Sequence, residues 1–136
     1  MVTEIERTNI KELTALLLTV QFYQIKNDQK NAFKSITKVQ LKKYNSPKHK
    51  IIYYHLFSDL AWEQQYYIKS AEISEKAIEF GHGREVDFER VAIYYEETTQ
   101  REKLPEMYLA AFETHKKGYF FIILLTAHYR SKNIKH

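Results

Sequence analysis

Six histidines, at positions 49, 55, 82, 115, 128 and 136, are the side chains in this sequence best suited to moving a proton or holding a metal. One has an acidic partner at helical spacing. His55 and Asp59 are four residues apart, so a helix would set both on one face. Such a pair could hold a metal ion or relay a proton, but a metal site needs a third ligand and none stands at a matching interval. A His–Asp hydrogen bond on a helix surface or in a groove is the simpler reading. Cysteine is absent, which removes disulfides, thiolate metal sites and a cysteine nucleophile. HExxH, GxSxG and a glycine-rich phosphate loop are absent too. The expectation is therefore a protein that is not an enzyme, with no cofactor and no metal.

The remaining composition fits a recognition domain. A chain of 136 residues suits one domain, and 44% hydrophobic with 28% charged residues is ordinary for a globular protein. Three glycines and two prolines are too few for a many-stranded fold, so the expected class is all-α. Eleven tyrosines offer rings for packing and hydroxyls for contact. The net charge of +4 is spread along the chain, and its densest cluster, Lys42, Lys43, Lys48 and Lys50, flanks a loop and reads as a solvated surface. The start lacks the basic and apolar regions of a signal peptide, and the longest apolar run, Tyr119 to Leu125, is too short to span a bilayer. The expected location is the cytoplasm, away from membranes.

Periodicity and punctuation predict seven helices. Thr3 with Glu6 forms a capping box before a helix over 4–26, and Asn27-Asp28 separates it from a second over 29–43. Tyr44-Asn45-Ser46-Pro47 stops that helix and starts a third, with Ser46 as N-cap and Pro47 at the first helical position. From His49 to Phe80 two helices are written with a polar joint between them. The first carries Ile51, Tyr54, Leu56, Phe57, Leu60 and Ala61 as its stripe, the second Ile68, Ala71, Ile73, Ala77, Ile78 and Phe80. Ser58, Ala61, Ser70, Ser74 and Ala77 are small where two helices must approach closely. Gly81-His82-Gly83 closes the pair, and helices over 85–101, 104–117 and 119–132 follow.

Ala32, Ala71 and Ala110 recur at intervals of 39 residues near the start of the second helix of each pair. Three hairpins and a closing helix are the simplest parse. Each hairpin leaves an apolar face that only a neighbour can cover, so the pairs should stack into a short solenoid within a single domain, 1–136.

The hairpin over 49–80 resembles a tetratricopeptide (TPR) unit, with Ser70 and Ala77 at the small positions, Tyr54 and Phe57 at the large ones and Ser58 at the glycine-like one. Ala61 stands where that pattern usually has tyrosine. The region from His49 to Lys132, through SEKAIEF, IYYEETTQREKL and LAAFETHKKGYFFIILLTAHY, is similar to the C-terminal region of the peptide-pheromone regulators of Gram-positive bacteria (the RNPP group, Rap/PlcR-like). The resemblance implies TPR-like hairpins that bind a short peptide in a concave groove, a dimerising last helix and a role in quorum sensing and transcription regulation. Many members add a helix-turn-helix domain. This chain has no room for one, so direct nucleic-acid binding is not expected.

Under that alignment the groove would be lined by Gln21 and Gln24 from the first pair, by His55, Asp59, Trp62 and Glu63 from the second and by Tyr95, Thr99 and Glu102 from the third. Amides would meet a peptide backbone, aromatic rings its apolar side chains and carboxylates its basic ones. Trp62 could instead pack between hairpins. The alternative function is a stand-alone inhibitory or immunity-like helical protein that docks on a larger partner. The consecutive apolar residues of the last helix point all round it, so a homodimer is expected there, with Phe121, Leu124, Leu125 and His128 near the contact.

Overall fold

The computed structural model describes residues 3–115. Six α-helices make up the described residues, with no strand among them: α1 (Glu4–Ile25), α2 (Gln29–Thr37), α3 (Pro47–Glu63), α4 (Tyr67–Glu79), α5 (Glu85–Glu97) and α6 (Leu104–His115). The protein is therefore all-α. The helix predicted over 119–132 lies outside the described residues.

Helix starts follow local side-chain chemistry. At α1 the Glu6 amide donates to Thr3 Oγ1 and the Thr3 amide to Glu6 Oε2, each at 3.1 Å. Two orphan donors are thus satisfied, a device worth about 1 kcal/mol. At α2 the Asn31 amide donates to Asp28 Oδ1 at 3.2 Å. Ser46, the expected cap of α3, makes no capping bond with its side chain. Its hydroxyl is engaged by His49 Nδ1 at 2.6 Å.

Two helices end earlier than the apolar pattern suggests. The second stops at Thr37 and not at residue 43, and a short 3-10 turn, Leu41–Lys43, follows. The fifth stops at Glu97 and not at residue 101, with another 3-10 turn at Arg101–Lys103. No glycine or proline marks either stop. The chain leaves α2 through tightened bonds, Lys38 N–H to Ser35 O and Val39 N–H to Ile36 O, which no residue type advertises.

The turns after α1, α3, α4 and α5 share one construction. Asn27, Gln65, Gly81 and Thr99 each take positive φ, at 57°, 65°, 86° and 59°. The following amide reaches back over the helix end: Asp28 to Tyr23 O, Tyr66 to Ala61 O, His82 to Ala77 O and Gln100 to Tyr95 O, at 2.8–3.0 Å. This six-to-one bond is the Schellman closure, which satisfies carbonyls left open at a helix C-terminus. Only one of the four uses glycine.

The chain divides into two compact units, Met1–Ile73 and Ser74–His136, and α4 carries the dividing point. In the N-terminal unit Leu13, Leu17, Val20, Ala32, Ile36, Tyr53, Phe57, Leu60 and Ala61 are buried in one apolar cluster. Phe57 meets Phe33 edge-on at 5.9 Å. At the α3–α4 contact, Ser58 Oγ donates to Ser70 O at 3.0 Å and Ser70 Oγ to Ser58 O at 2.7 Å. Both serines are fully buried, so their small size permits the approach and their hydroxyls answer each other's backbone.

In the C-terminal unit Phe88, Val91, Ala92, Tyr95, Leu104, Met107, Tyr108 and Ala111 form the core. The buried small residue of α6 is Ala111, whereas Ala110 is half-buried, so the third copy of the repeated alanine sits one position later than the 39-residue interval places it. Ile68 and Phe80, assigned above to the apolar stripe of the fourth helix, are exposed instead, as are Ile5, Leu109 and Phe112. Ile68 precedes buried Ser70 by two positions, and Leu109 follows buried Met107 by two. Two residues are about 200° round a helix, so these side chains face the other way.

Candidate functional site

The residues expected to line a groove fall on four elements. On α3, His55, Asp59 and Trp62 are half-buried and Glu63 is exposed, on successive turns of one helix. On α1, Gln21 is exposed and Gln24 half-buried. In the C-terminal unit Tyr95 belongs to the core and its hydroxyl donates to Glu75 Oε2. Burial and the adjoining Glu75 carboxylate raise the Tyr95 phenol well above its ordinary pKa. Thr99 is exposed and forms the left-handed turn after α5, and Glu102 is exposed on the 3-10 turn before α6. Thus the structure gathers the four α3 residues on one helix, gives Tyr95 a packing role and gives Thr99 a turn role. Phe121, Leu124, Leu125 and His128 lie outside the described residues.

An open recess of about 540 Å³ lies in the N-terminal unit where α3 turns into α4. Gln65, Tyr66, Tyr67, Ile68, Lys69 and Glu72 line it. The turn explains its make-up. The left-handed Gln65 swings the chain outward, the Tyr66 amide fastens it to Ala61 O, and three large side chains in succession then face water. Tyr66, Tyr67 and Ile68 are 55%, 51% and 59% exposed. The rings are nevertheless held from behind. Tyr66 stacks on Phe33 of α2 at 5.3 Å, and Tyr67 meets Trp62 at 4.6 Å, inclined by 64°. Lys69 Nζ stands 5.7 Å over the Phe57 ring. Preset rings lose little conformational freedom when a ligand arrives. Sequence reading took Trp62 as a contact residue but passed over Tyr66 and Tyr67. The available signal was three adjacent bulky residues, which cannot all share one helical stripe.

A second apolar hollow, of about 420 Å³, lies in the C-terminal unit against Pro105, Tyr108, Leu109 and Phe112 of α6. Burial, reinforced by the Glu96 carboxylate, pushes the Tyr108 phenol up to about 12.

Two polar clusters serve positioning. His49 Nε2 lies 2.9 Å from Thr14 Oγ1, and the Thr14 hydroxyl hydrogen is already given to Ile10 O at 2.8 Å. The ring therefore donates from Nε2 to Thr14, and its Nδ1 is hydrogen-bonded to the Ser46 hydroxyl, which ties the start of α3 to α1. Asp87 is fully buried and accepts hydrogen bonds from Ser74 and Arg84. Ser74 Oγ (2.7 Å) and Arg84 Nη2 (3.1 Å) reach Oδ1, and Arg84 N (2.8 Å) and Nε (3.0 Å) reach Oδ2. Donors on both oxygens hold the carboxylate, so Asp87 locks the start of α5 to α4. Among the described residues no three His, Asp or Glu side chains converge to hold a metal ion. Among the same residues no helix is long and apolar enough to cross a membrane.

No family model, no curated protein and no solved structure matches this chain.

Proposed function

We propose that this chain is a non-enzymatic protein-interaction module whose N-terminal unit takes a short peptide, or an extended segment of a partner protein, at the recess between α3 and α4. The observation that carries the reading is the row Tyr66, Tyr67 and Ile68, exposed side by side while Phe33 and Trp62 fix the rings from behind. An apolar side chain of the ligand would sit among the rings, with Gln65 and Lys69 as donors to its backbone and Glu72 beside a basic neighbour. His55, Asp59 and Glu63 on α3, with Gln21 and Gln24 on α1, would extend the contact along the ligand. Recurrence of one turn construction after α1, α3, α4 and α5 supports a repetitive helical build of the TPR-like kind. The resemblance to peptide-pheromone regulators supports a regulatory ligand, and an affinity near the micromolar range suits a recess this open.

Trp62 is the sole tryptophan and touches Tyr67, so its fluorescence reports on the recess. Titration with linear peptides carrying a central leucine or aromatic residue should change the emission saturably. Tyr67→Ala should weaken binding about tenfold, as expected for an aromatic contact worth more than about 1 kcal/mol. Binding that is indifferent to both Tyr66→Ala and Tyr67→Ala would sink this assignment, as would no binding across such a peptide set.

A further inference from the structure

Of the described residues that line the recess between α3 and α4, Lys69 alone is cationic, and its ammonium is held in place. On α4 it stands three residues before Glu72, close enough for an ion pair within the helix. Its Nζ turns instead to the face of Phe57, 5.7 Å from the ring centre. That ring is itself fixed. Phe57 is 5% exposed, and Phe33 and Tyr53 meet it edge-on at 5.9 and 5.6 Å. Phe33 also stacks on Tyr66 at 5.3 Å. One pair of rings, Phe33 and Phe57, thus seats both Tyr66 and Lys69, an aromatic and a charged member of the same recess.

A ring face orients an ammonium without neutralising it, whereas a carboxylate partner would hold the same group and cancel its charge. Lys69 therefore offers a full positive charge, with N–H donors to spare, at the edge of an aromatic surface. We propose that Lys69 is the specificity-determining residue of the recess, and that the peptide bound there carries a carboxylate beside its apolar anchor. The inference rests on the peptide reading of the recess and adds the charge of the ligand to it. The anchor lies against Tyr66, Tyr67 and Ile68. The carboxylate accepts from Lys69 Nζ, a charge-assisted bond stronger than one to a neutral carbonyl. Phe33 and Phe57 are positioning residues, which act on the ligand through Tyr66 and Lys69.

The lining also selects the kind of anion. Lys69 contributes one positive charge and Glu72 one negative, so the lining is neutral as a whole. A phosphate group carries about 1.5–2 negative charges and would be repelled by Glu72 while drawn to Lys69. A carboxylate carries a single charge and can keep to the Lys69 side. It can come from the C-terminus of the peptide or from an acidic side chain next to the anchor, and both present the same group to Lys69.

Titrations followed at Trp62 test the inference with the tightest binder of the linear peptide set, made in three forms. One is cut after its anchor as a free acid, one is the same peptide amidated, and one is the amide extended by a single aspartate. At about 50 mM salt one or both carboxylate forms should bind about fivefold tighter than the plain amide, and the advantage should shrink at about 500 mM. The form that gains identifies the source of the carboxylate. Lys69→Gln should erase the advantage and Lys69→Arg should keep it; both are surface changes that leave the core alone. Phe57→Leu should reduce the advantage more than it reduces affinity for the amide. Without any ligand, the ring current of Phe57 should move the Lys69 ε-methylene proton signals upfield, and Phe57→Leu should return them. Equal affinity for all three peptides, still lost in Tyr67→Ala, overturns the inference and leaves the peptide reading standing. An advantage that survives Lys69→Gln overturns it too, by placing the carboxylate elsewhere, as do unshifted Lys69 signals in the wild type. Failure of every peptide to bind removes both readings.

Discussion

The N-terminal unit and the C-terminal unit solve the polar part of helix packing in opposite ways. In the first, Ser58 and Ser70 are the buried polar pair at the α3–α4 crossing, neutral hydroxyls that each satisfy the other's carbonyl. In the second, full charges go inside. Asp87 is enclosed by Ser74 and Arg84, and Glu96, 1% exposed, faces Arg101 Nε at 3.2 Å. A buried neutral pair costs little to replace by hydrocarbon, whereas a buried carboxylate depends on every donor around it. The N-terminal unit is thus the more tolerant of change, and the C-terminal unit the more demanding of one arrangement.

Removing a partner from each network sharpens that contrast. Asp87→Ala removes the carboxylate that accepts from the Arg84 guanidinium and the Ser74 hydroxyl at the start of α5. A loss of about 3–5 kcal/mol is expected. Amide hydrogen exchange should show it as faster exchange across α5 and α6. Protection in α5 that survives Asp87→Ala would mean that the charges are dispensable and the comparison is wrong.

The serine pair should behave differently. Ser58→Ala leaves Ser70 without one of its partners and should cost about 1–2 kcal/mol, whereas Ser58→Ala with Ser70→Ala should recover most of that loss. Urea unfolding followed at Trp62 measures the cycle. A double variant as damaged as the sum of the singles would show that the hydroxyls matter beyond satisfying each other.

The smallest expected effect lies in the turns. Thr99 is β-branched and left-handed, a conformation that disfavours such residues by about 1–2 kcal/mol, partly offset by the greater freedom glycine has when unfolded. Thr99→Gly should stabilise by about 0.5–1 kcal/mol, and Asn27→Gly by a few tenths at most, because asparagine tolerates this region. Thermal melts of the two variants give the ranking, and a destabilised Thr99→Gly would reverse the turn argument.

Much of the helical plan could be read from residue types. The box of Thr3 with Glu6, the proline at the start of α3, the left-handed Gly81 and the small residues Ser58 and Ser70 all announce themselves by chemistry that works locally. Other features carry no such mark. Asn27, Gln65 and Thr99 do the work usually given to glycine, and α2 stops at Thr37 without a breaker. Ile68 looks like core because it is apolar, yet its angle round α4 sends it to water. Asp87 looks like a surface carboxylate until Arg84 and Ser74 are seen to converge on it. For the same reason the recess was only half visible: Trp62 stands out by rarity, but the exposure of Tyr66 and Tyr67 follows from the twist at Gln65.

The buried phenols set an alkaline boundary. Tyr108 is held up to about 12, chiefly by burial with Glu96 adding to it, and burial also raises Tyr95, Tyr44 and Tyr53 above the ordinary value of 10.0. A phenol whose folded pKa is raised supports the folded state fully below its unfolded value. That support drains away as pH climbs from about 10 towards about 12, because the unfolded chain releases its protons first. Ionisation of these buried phenols should therefore accompany loss of the helices, so tyrosinate absorption in the ultraviolet and the helical circular dichroism should change together. The buried tyrosines are in this sense an optical record of the fold coming apart.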